Sequence, residues 1–187
     1  MRHDAAEQRR QKGNLIRLGT VADLDHAAAR CRVQTGELLT DWIPWLVPRA
    51  GAAIEWSAPG VDEQGIVLCP DGDTSGAVFL RGLYSTAFVQ PADGEAEHLI
   101  RYPDGTRIHY DAAAHALTAV LASGGTAAIT ADGGVTVNAS GGVTVNGDVQ
   151  VNGKLTASDD VLAGSISLKN HTHGGVQSGG SSTGKPQ

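Results

Sequence analysis

Two histidines near the C-terminus, His171 and His173, are the side chains of this sequence best suited to bind a metal ion. In an extended backbone the side-chain period is two, so both imidazoles point to the same side of the chain. Two imidazoles alone leave a metal site incomplete. Three copies meeting on a three-fold axis would supply six nitrogens, an octahedral shell that suits Fe(II), Ni or Co better than tetrahedral Zn. Because a His-x-His pair is by itself a weak motif, its meaning depends on the elements that position it.

The register of the residues before the histidines predicts a change in the path of the chain. Ile166 and Leu168 share one parity and are expected to face inward. Both histidines have the opposite parity, together with Lys169, and three lysines facing one axis would be very costly. We therefore predict a bend near Lys169 and Asn170 that resets the alternation and lets both histidines face the axis.

Short repeats occupy the region before this bend. Ala127–Gly134 aligns with Val135–Gly142, and the shorter unit Val143–Asp148 aligns with Val149–Lys154. Each unit is predicted to begin with a three-residue strand in the order apolar, polar, apolar, which is followed by Asn, Gly, Asp or Ser. Such a unit cannot bury its apolar side alone, whereas a stack of units can.

Two architectures would stack these units. A single-chain left-handed β-helix of the acyltransferase type favours a small or acidic residue where this sequence has Thr144 and Gln150. A stack this short would also have two open ends and little core. Three chains wound together triple the apolar content of each level and close every sheet edge, so we favour a homotrimeric intertwined β-prism. The side chains predicted to face its axis are Val135, Val137, Val143, Val145, Val149 and Val151.

The first half of the sequence has the pattern of a small β-barrel. Short apolar runs are separated by turn residues, and Pro44, Pro48 and Pro59 restrict their neighbours to edges and loops. The predicted strands are 17–24, 29–34, 40–46, 53–57, 65–69 and 77–84. Their number and spacing favour an OB-fold or another small barrel of the same size.

The barrel is followed by an acidic linker and a predicted hairpin. The linker covers Pro91–Glu97, and the hairpin covers His98–Tyr110, with Pro103-Asp104-Gly105 as its turn. The remaining histidines of this region, His98, His109 and His115, are interpreted as ordinary polar positions and not as ligands.

Composition and charge limit the possible functions. The net charge is −6, and no groove-like mixture of basic and aromatic residues occurs, which argues against nucleic-acid binding. Cys31 and Cys69 lie far apart among apolar residues, so we predict reduced core thiols. Met1–Lys12 is polar without an apolar stripe and predicts a frayed helix or a segment docked on a partner. No secretory signal or membrane-spanning run is recognised, which predicts synthesis in the cytoplasm.

Several stretches resemble the phage baseplate assembly protein V family, the central spike of contractile tails, which includes the spikes of R-type pyocins. The stretches that carry the resemblance are Gly19–Val21, Arg30–Gly36, Thr40–Leu46, Arg101–Gly105 and His171–Gly175. The resemblance implies an all-β fold: an N-terminal OB-fold-like barrel, then a homotrimeric intertwined triple-stranded β-helix with a metal-closed apex. The expected domains are a polar segment 1–13, a barrel 14–90, a linker and hairpin collar 91–115, β-helix repeats 116–168, and an apex with a Gly-rich tail 169–187.

The resemblance also implies the ligands of the apex. One iron ion per trimer is octahedral and is held by six histidines, which correspond here to His171 and His173 of each chain. Family apices also hold calcium and chloride ions on the axis, and Asp159 and Asp160 are the nearest acidic residues.

The function implied by the resemblance is mechanical. The spike docks on baseplate hub and tail-tube proteins, is assembled in the bacterial cytoplasm, and pierces the host outer membrane when the sheath of the extracellular particle contracts. Two alternatives from other classes are a tail-associated enzyme, either a lysozyme or a hexapeptide acyltransferase, and a receptor-binding adhesin. The sequence contains no inserted domain that would hold a catalytic carboxylate pair, which disfavours the enzyme.

Overall fold

The structure is a computed structural model that describes residues 8, 11–172, 175 and 179–180. Its backbone contacts divide the chain into two compact units, Met1–Ala128 and Ile129–Gln187. Residues 8 and 11–14 are helical, and almost all other regular structure is β. The strands are β1 Ile16–Asp25, β2 Arg30–Thr35, β3 Leu38–Leu39, β4 Ile43–Pro44, β5 Gln64–Leu68, β6 Val78–Leu83, β7 Glu97–Arg101, β8 Arg107–Asp111, β9 Ala116–Val120, β10 Leu162–Ala163 and β11 Ile166–Ser167.

The first six strands form one barrel-like sheet in which β1 is central. The order is β3-β2-β1-β5-β6, and β4 also pairs with β2. A bridge between Trp45 and Phe79 joins the end of β4 to β6, and the Leu46 amide donates to the Phe79 carbonyl at 2.8 Å. Because this contact returns the chain from the β2 edge to the β6 edge, the sheet closes on itself, as a small barrel requires.

Two glycines allow the strands to approach closely inside this barrel. A Cβ atom on Gly19 would lie 2.4 Å from Val33 Cγ1, and a Cβ atom on Gly65 would lie 2.3 Å from the Leu80 carbonyl oxygen. A glycine inside a strand often marks such a close approach.

The barrel core is small and apolar. Its fully buried side chains include Val21, Val33, Val67 and Phe79. Thr40 is also buried, and its hydroxyl accepts a hydrogen bond from the Val33 amide at 2.9 Å, which satisfies its polar atom.

Both cysteines lie in this core as free thiols, which confirms the predicted reduced state. Burial raises the pKa of the Cys31 thiol to about 11 and also raises the pKa of Cys69.

Two predicted strands of the barrel are wrong or shorter than expected. Within 40–46 only β4, Ile43–Pro44, is a strand, and 53–57 contributes only the bridge between Ala50 and Ile54. Pro44 and Pro48 lack the N–H that a ladder needs. Trp56 instead packs edge-on against Trp45, with ring centroids 5.6 Å apart.

A second sheet of three antiparallel strands, in the order β7-β8-β9, follows the barrel in sequence. The predicted hairpin is confirmed: Tyr102 donates to Thr106 at 2.8 Å, and Gly105 adopts a positive φ of 87°. Residues 116–120, which we expected to open the repeats, instead pair with β8 as the third strand.

The repeats form no strand within the single chain. The fully described stretch 121–161 contains turns but no strand, and nearly all of its residues are exposed. Among the described residues of the second unit, the paired strands are those of the hairpin β10–β11. In the described part of the chain, no helix has the length and apolar character needed to cross a bilayer.

Candidate metal centre at the C-terminal apex

A short hairpin leads the chain to the first apical histidine. Leu162 pairs with Ser167 and Ala163 pairs with Ile166 around a two-residue turn, in which Gly164 adopts a positive φ of 64°. The Leu168 amide then donates to the Val161 carbonyl at 2.9 Å. The pairing therefore continues to the residue at which the chain turns.

The chain turns over residues 168–170, directly before His171. The turn is closed by the His171 amide, which donates to the Ser167 carbonyl at 3.1 Å. The bend predicted near Lys169 and Asn170 is therefore confirmed. The Lys169 ammonium lies 3.3 Å from an Asp159 carboxylate oxygen, with both side chains exposed.

Asp160 stabilises both ends of the hairpin with one carboxylate. Its Oδ1 accepts from the Val161 amide at 2.8 Å and from the Lys169 amide at 3.0 Å, while its Oδ2 accepts the Ser167 hydroxyl proton at 2.5 Å. These bonds favour the ionised form, so the pKa of Asp160 is lowered, chiefly by the Ser167 hydroxyl. Both oxygens are thus occupied by donors of the same chain.

Ser167 connects this carboxylate to His171. Its hydroxyl oxygen accepts from the Asn170 amide at 2.8 Å, and its carbonyl oxygen lies 2.9 Å from His171 Nδ1. Because a carbonyl can only accept, Nδ1 carries the proton in this contact, which makes Nε2 the nitrogen suited to bind a metal. Metal-ligating histidines commonly donate their other N–H to a backbone carbonyl in this way. His171 therefore fits the role of an imidazole ligand.

His173, the second predicted ligand, lies outside the described residues. Among the residues described, no group of three or more His, Cys, Asp or Glu side chains could hold a metal within one chain. His26 lies in the turn between β1 and β2, and three other histidines, His98, His109 and His115, lie in the β7-β8-β9 sheet and its turn. His109 Nε2 lies 4.0 Å from Glu97 Oε1 there, and His98 pairs with Tyr110.

The sequence reasoning missed the β10–β11 hairpin and the roles of Asp160 and Ser167. The signal was present, because Gly164-Ser165 separates the apolar Leu162-Ala163 from Ile166. A two-residue Gly-Ser connection is a hairpin signal.

Three family models match successive parts of the chain. Residues 17–84 match the type VI secretion system/phage-baseplate injector OB domain, residues 98–172 match the Gp138 β-helical trimerization domain, and residues 165–187 match the GpV apex motif. The predicted fold class, an OB-fold followed by a trimeric β-helix, is thereby confirmed. Along this chain the matches follow one another as an OB domain, a trimerization domain and an apex motif.

A curated relative points the same way. The chain is 44% identical over 106 residues to the spike protein of Escherichia phage P2. The alignment covers 56% of this chain and 50% of the relative, so the chain spans about half the length of the curated relative it matches.

Proposed function

We propose that this protein is the central spike of a contractile tail or pyocin baseplate, and that it pierces the host outer membrane mechanically during sheath contraction. The observation that carries the proposal is the succession of an OB domain, a trimerization domain and an apex motif in one chain. A rigid shaft and a tip that does not fray are what piercing requires. We infer that the protein is not an enzyme.

The repeats support a homotrimer because their apolar side chains lack cover in one chain. Val137, Val143 and Val145 are 70%, 69% and 60% exposed. Fully burying a valine contributes about 1.5–3 kcal/mol, so a stack of such levels favours association strongly. The backbone of 121–161 also forms no strand within one chain, and three intertwined chains would provide pairing partners.

The β7-β8-β9 sheet has one face that carries mostly apolar side chains. Ile100, Ile108 and Ala119 align across its strands, as do His98, Tyr110 and Leu117 in the next row of the same face. Two further copies of the chain would bury this face.

The outer face of the barrel supports a partner for the N-terminal unit. Leu18 pairs with Ile66, and Ile66 pairs with Leu80. Leu18 and Leu80 are 71% and 43% exposed. We assign the barrel end to the baseplate hub and tail tube, and the apex to the side that meets the host. Assembly takes place in the bacterial cytoplasm, and the spike acts in the extracellular particle.

At the apex, His171 and His173 of three chains would hold one octahedral iron ion per trimer. When bound, the ion cross-links three chain ends where the axis leaves no room for a side-chain core. After the turn at 168–170, the Lys169 ammonium lies beside the Asp159 carboxylate. Lys169 therefore has a partner away from the axis, which supports the proposal that the histidines face it. Calcium and chloride are proposed as further axial ions without assigned ligands.

Purified contractile particles that contain this protein test the proposal. Particles assembled with a chain that ends at residue 164 should keep their sheath and baseplate but lose most killing or DNA delivery. Cryo-electron microscopy should place the protein on the tail axis at the baseplate tip. Full activity of the truncated particles, or a position off the axis, would contradict the proposal.

A further inference from the structure

We propose that Asp160 and Ser167 are positioning residues for the metal ligand His171, and that they set the orientation and tautomer of its imidazole. This inference rests on the proposed apical metal site. It is carried by a continuous set of hydrogen bonds that runs from the carboxylate of Asp160 to the ring of His171.

The first step joins the two ends of the hairpin. Asp160 binds the amide of its neighbour Val161 and, across the hairpin, the amide of Lys169. The carboxylate therefore fixes the start of the turn that delivers His171. The carboxylate of the adjacent acid, Asp159, instead faces the Lys169 ammonium, and the Asp159 side chain is 92% exposed.

The second step passes through Ser167. An ionised carboxylate can only accept, so the serine hydroxyl proton points to Asp160 Oδ2 and the hydroxyl oxygen is left to accept from Asn170. The carbonyl of the same serine accepts from the backbone amide of His171 and from its ring Nδ1. The Ser167 carbonyl therefore contacts both the backbone amide and the imidazole ring of His171.

Asp160 and Ser167 are less exposed to solvent than the residues around them. Within 129–172, a fully described stretch, Asp160 and Ser167 are the two residues that are partly buried, and all others are exposed. Polar side chains that are the least exposed in an otherwise open segment indicate a structural network rather than a solvated surface. The occupied oxygens of Asp160 also disfavour it as a ligand of an axial cation.

Matched variants of the full-length protein test the assignment. Asp160→Ala removes the carboxylate, and Ser167→Ala removes the hydroxyl that it binds while the backbone carbonyl of residue 167 remains. Asp160→Asn keeps the shape and one acceptor oxygen. Asp159→Asn and Ser165→Ala are controls that change a neighbouring charge and a neighbouring hydroxyl. Light scattering first establishes that each variant has the mass of the wild-type assembly.

Two readouts follow. In metal-free protein labelled with ¹⁵N-histidine, with His171→Ala used for assignment, imidazole shifts report the protonated nitrogen of His171. We expect the Nδ1–H form in wild type and both controls, and a mixture of tautomers in Asp160→Ala and Ser167→Ala. In chelator competition, Fe(II) affinity should fall at least about tenfold in these two variants. Asp160→Asn should lie between them and wild type, and the Co(II) absorption spectrum should change in the same order.

The outcomes separate the two proposals. If wild type binds no metal, or binds it equally after replacement of both apical histidines, the apical metal site fails, while the tautomer measurement still tests the network. Wild-type affinity, Co(II) spectrum and Nδ1–H signal in Asp160→Ala and Ser167→Ala would overturn the inference. An equal loss of affinity in Asp159→Asn would also overturn it, because charge alone would then account for the effect.

Discussion

Replacement of Val145 by threonine tests whether the repeats bury their valines between three chains. Val145 is 60% exposed in one chain. Covering that fraction of a side chain worth about 1.5–3 kcal/mol contributes about 1–2 kcal/mol per chain, or roughly 3–5 kcal/mol per trimer. Threonine keeps the volume but adds a hydroxyl whose burial without a partner costs about 1–3 kcal/mol each time. We therefore expect Val145→Thr to destabilise the trimer by at least about 3 kcal/mol.

The assay is dissociation and unfolding in guanidinium at fixed protein concentration, followed by light scattering and circular dichroism. The matched control is Thr144→Val, a change of the same size at the adjacent position that is expected to face outward. It should alter stability by less than about 0.5 kcal/mol per chain. Equal stability of Val145→Thr and wild type, or equal loss in both variants, would refute the assignment of Val145 to the axis.

Three further predictions concern the barrel, its thiols and the apex. Gly65→Ala should destabilise the barrel by about 1–3 kcal/mol, because its Cβ would lie 2.3 Å from the Leu80 carbonyl oxygen; denaturant unfolding measures this. The Cys31 thiol, whose pKa is about 11, should remain protonated and resist alkylation at pH 9 in folded protein. Since the pKa of Cys31 in the folded protein lies above its ordinary value of 9.0, its contribution to stability is present below pH 9 and is lost between about pH 9 and 11. Replacing both apical histidines by alanine should leave the trimer folded but remove the metal, and acidification should release metal from wild type because bound imidazoles must be neutral.

Each of these has a control. Gly76→Ala should be neutral, since nothing lies within 4 Å of the added Cβ. Alkylation of Cys31 in guanidinium should be fast, and equally fast labelling of folded protein would contradict its burial. Elemental analysis measures the metal, and an unchanged content in the double histidine variant would remove both residues from the site.

The barrel could be predicted from sequence because its strands bury one side. In β2 the alternation of Arg30, Cys31, Arg32 and Val33 is matched by alternating exposure and burial. The strand predictions failed where the local sequence pattern favours a strand but a tertiary contact favours another conformation. Trp56 lies in a stretch that reads as a strand, yet its ring packs on Trp45 rather than entering a ladder.

The repeats and the apex were harder to predict for different reasons. The valine pattern requires burial, but the partners that bury it belong to other chains, so one chain alone does not show them. At the apex, the parity of Lys169 was sufficient to predict the bend. It gave no indication of Asp160, because a carboxylate that accepts from residues nine positions away leaves no periodic signal in the sequence.

Anomalous diffraction at the iron edge from crystals of the full-length trimer tests the central claim most directly. The account predicts one peak per three chains, on the three-fold axis, with His171 Nε2 and a nitrogen of His173 from each chain around it. Crystals of a monomer, or iron-edge peaks away from these histidines, would contradict it.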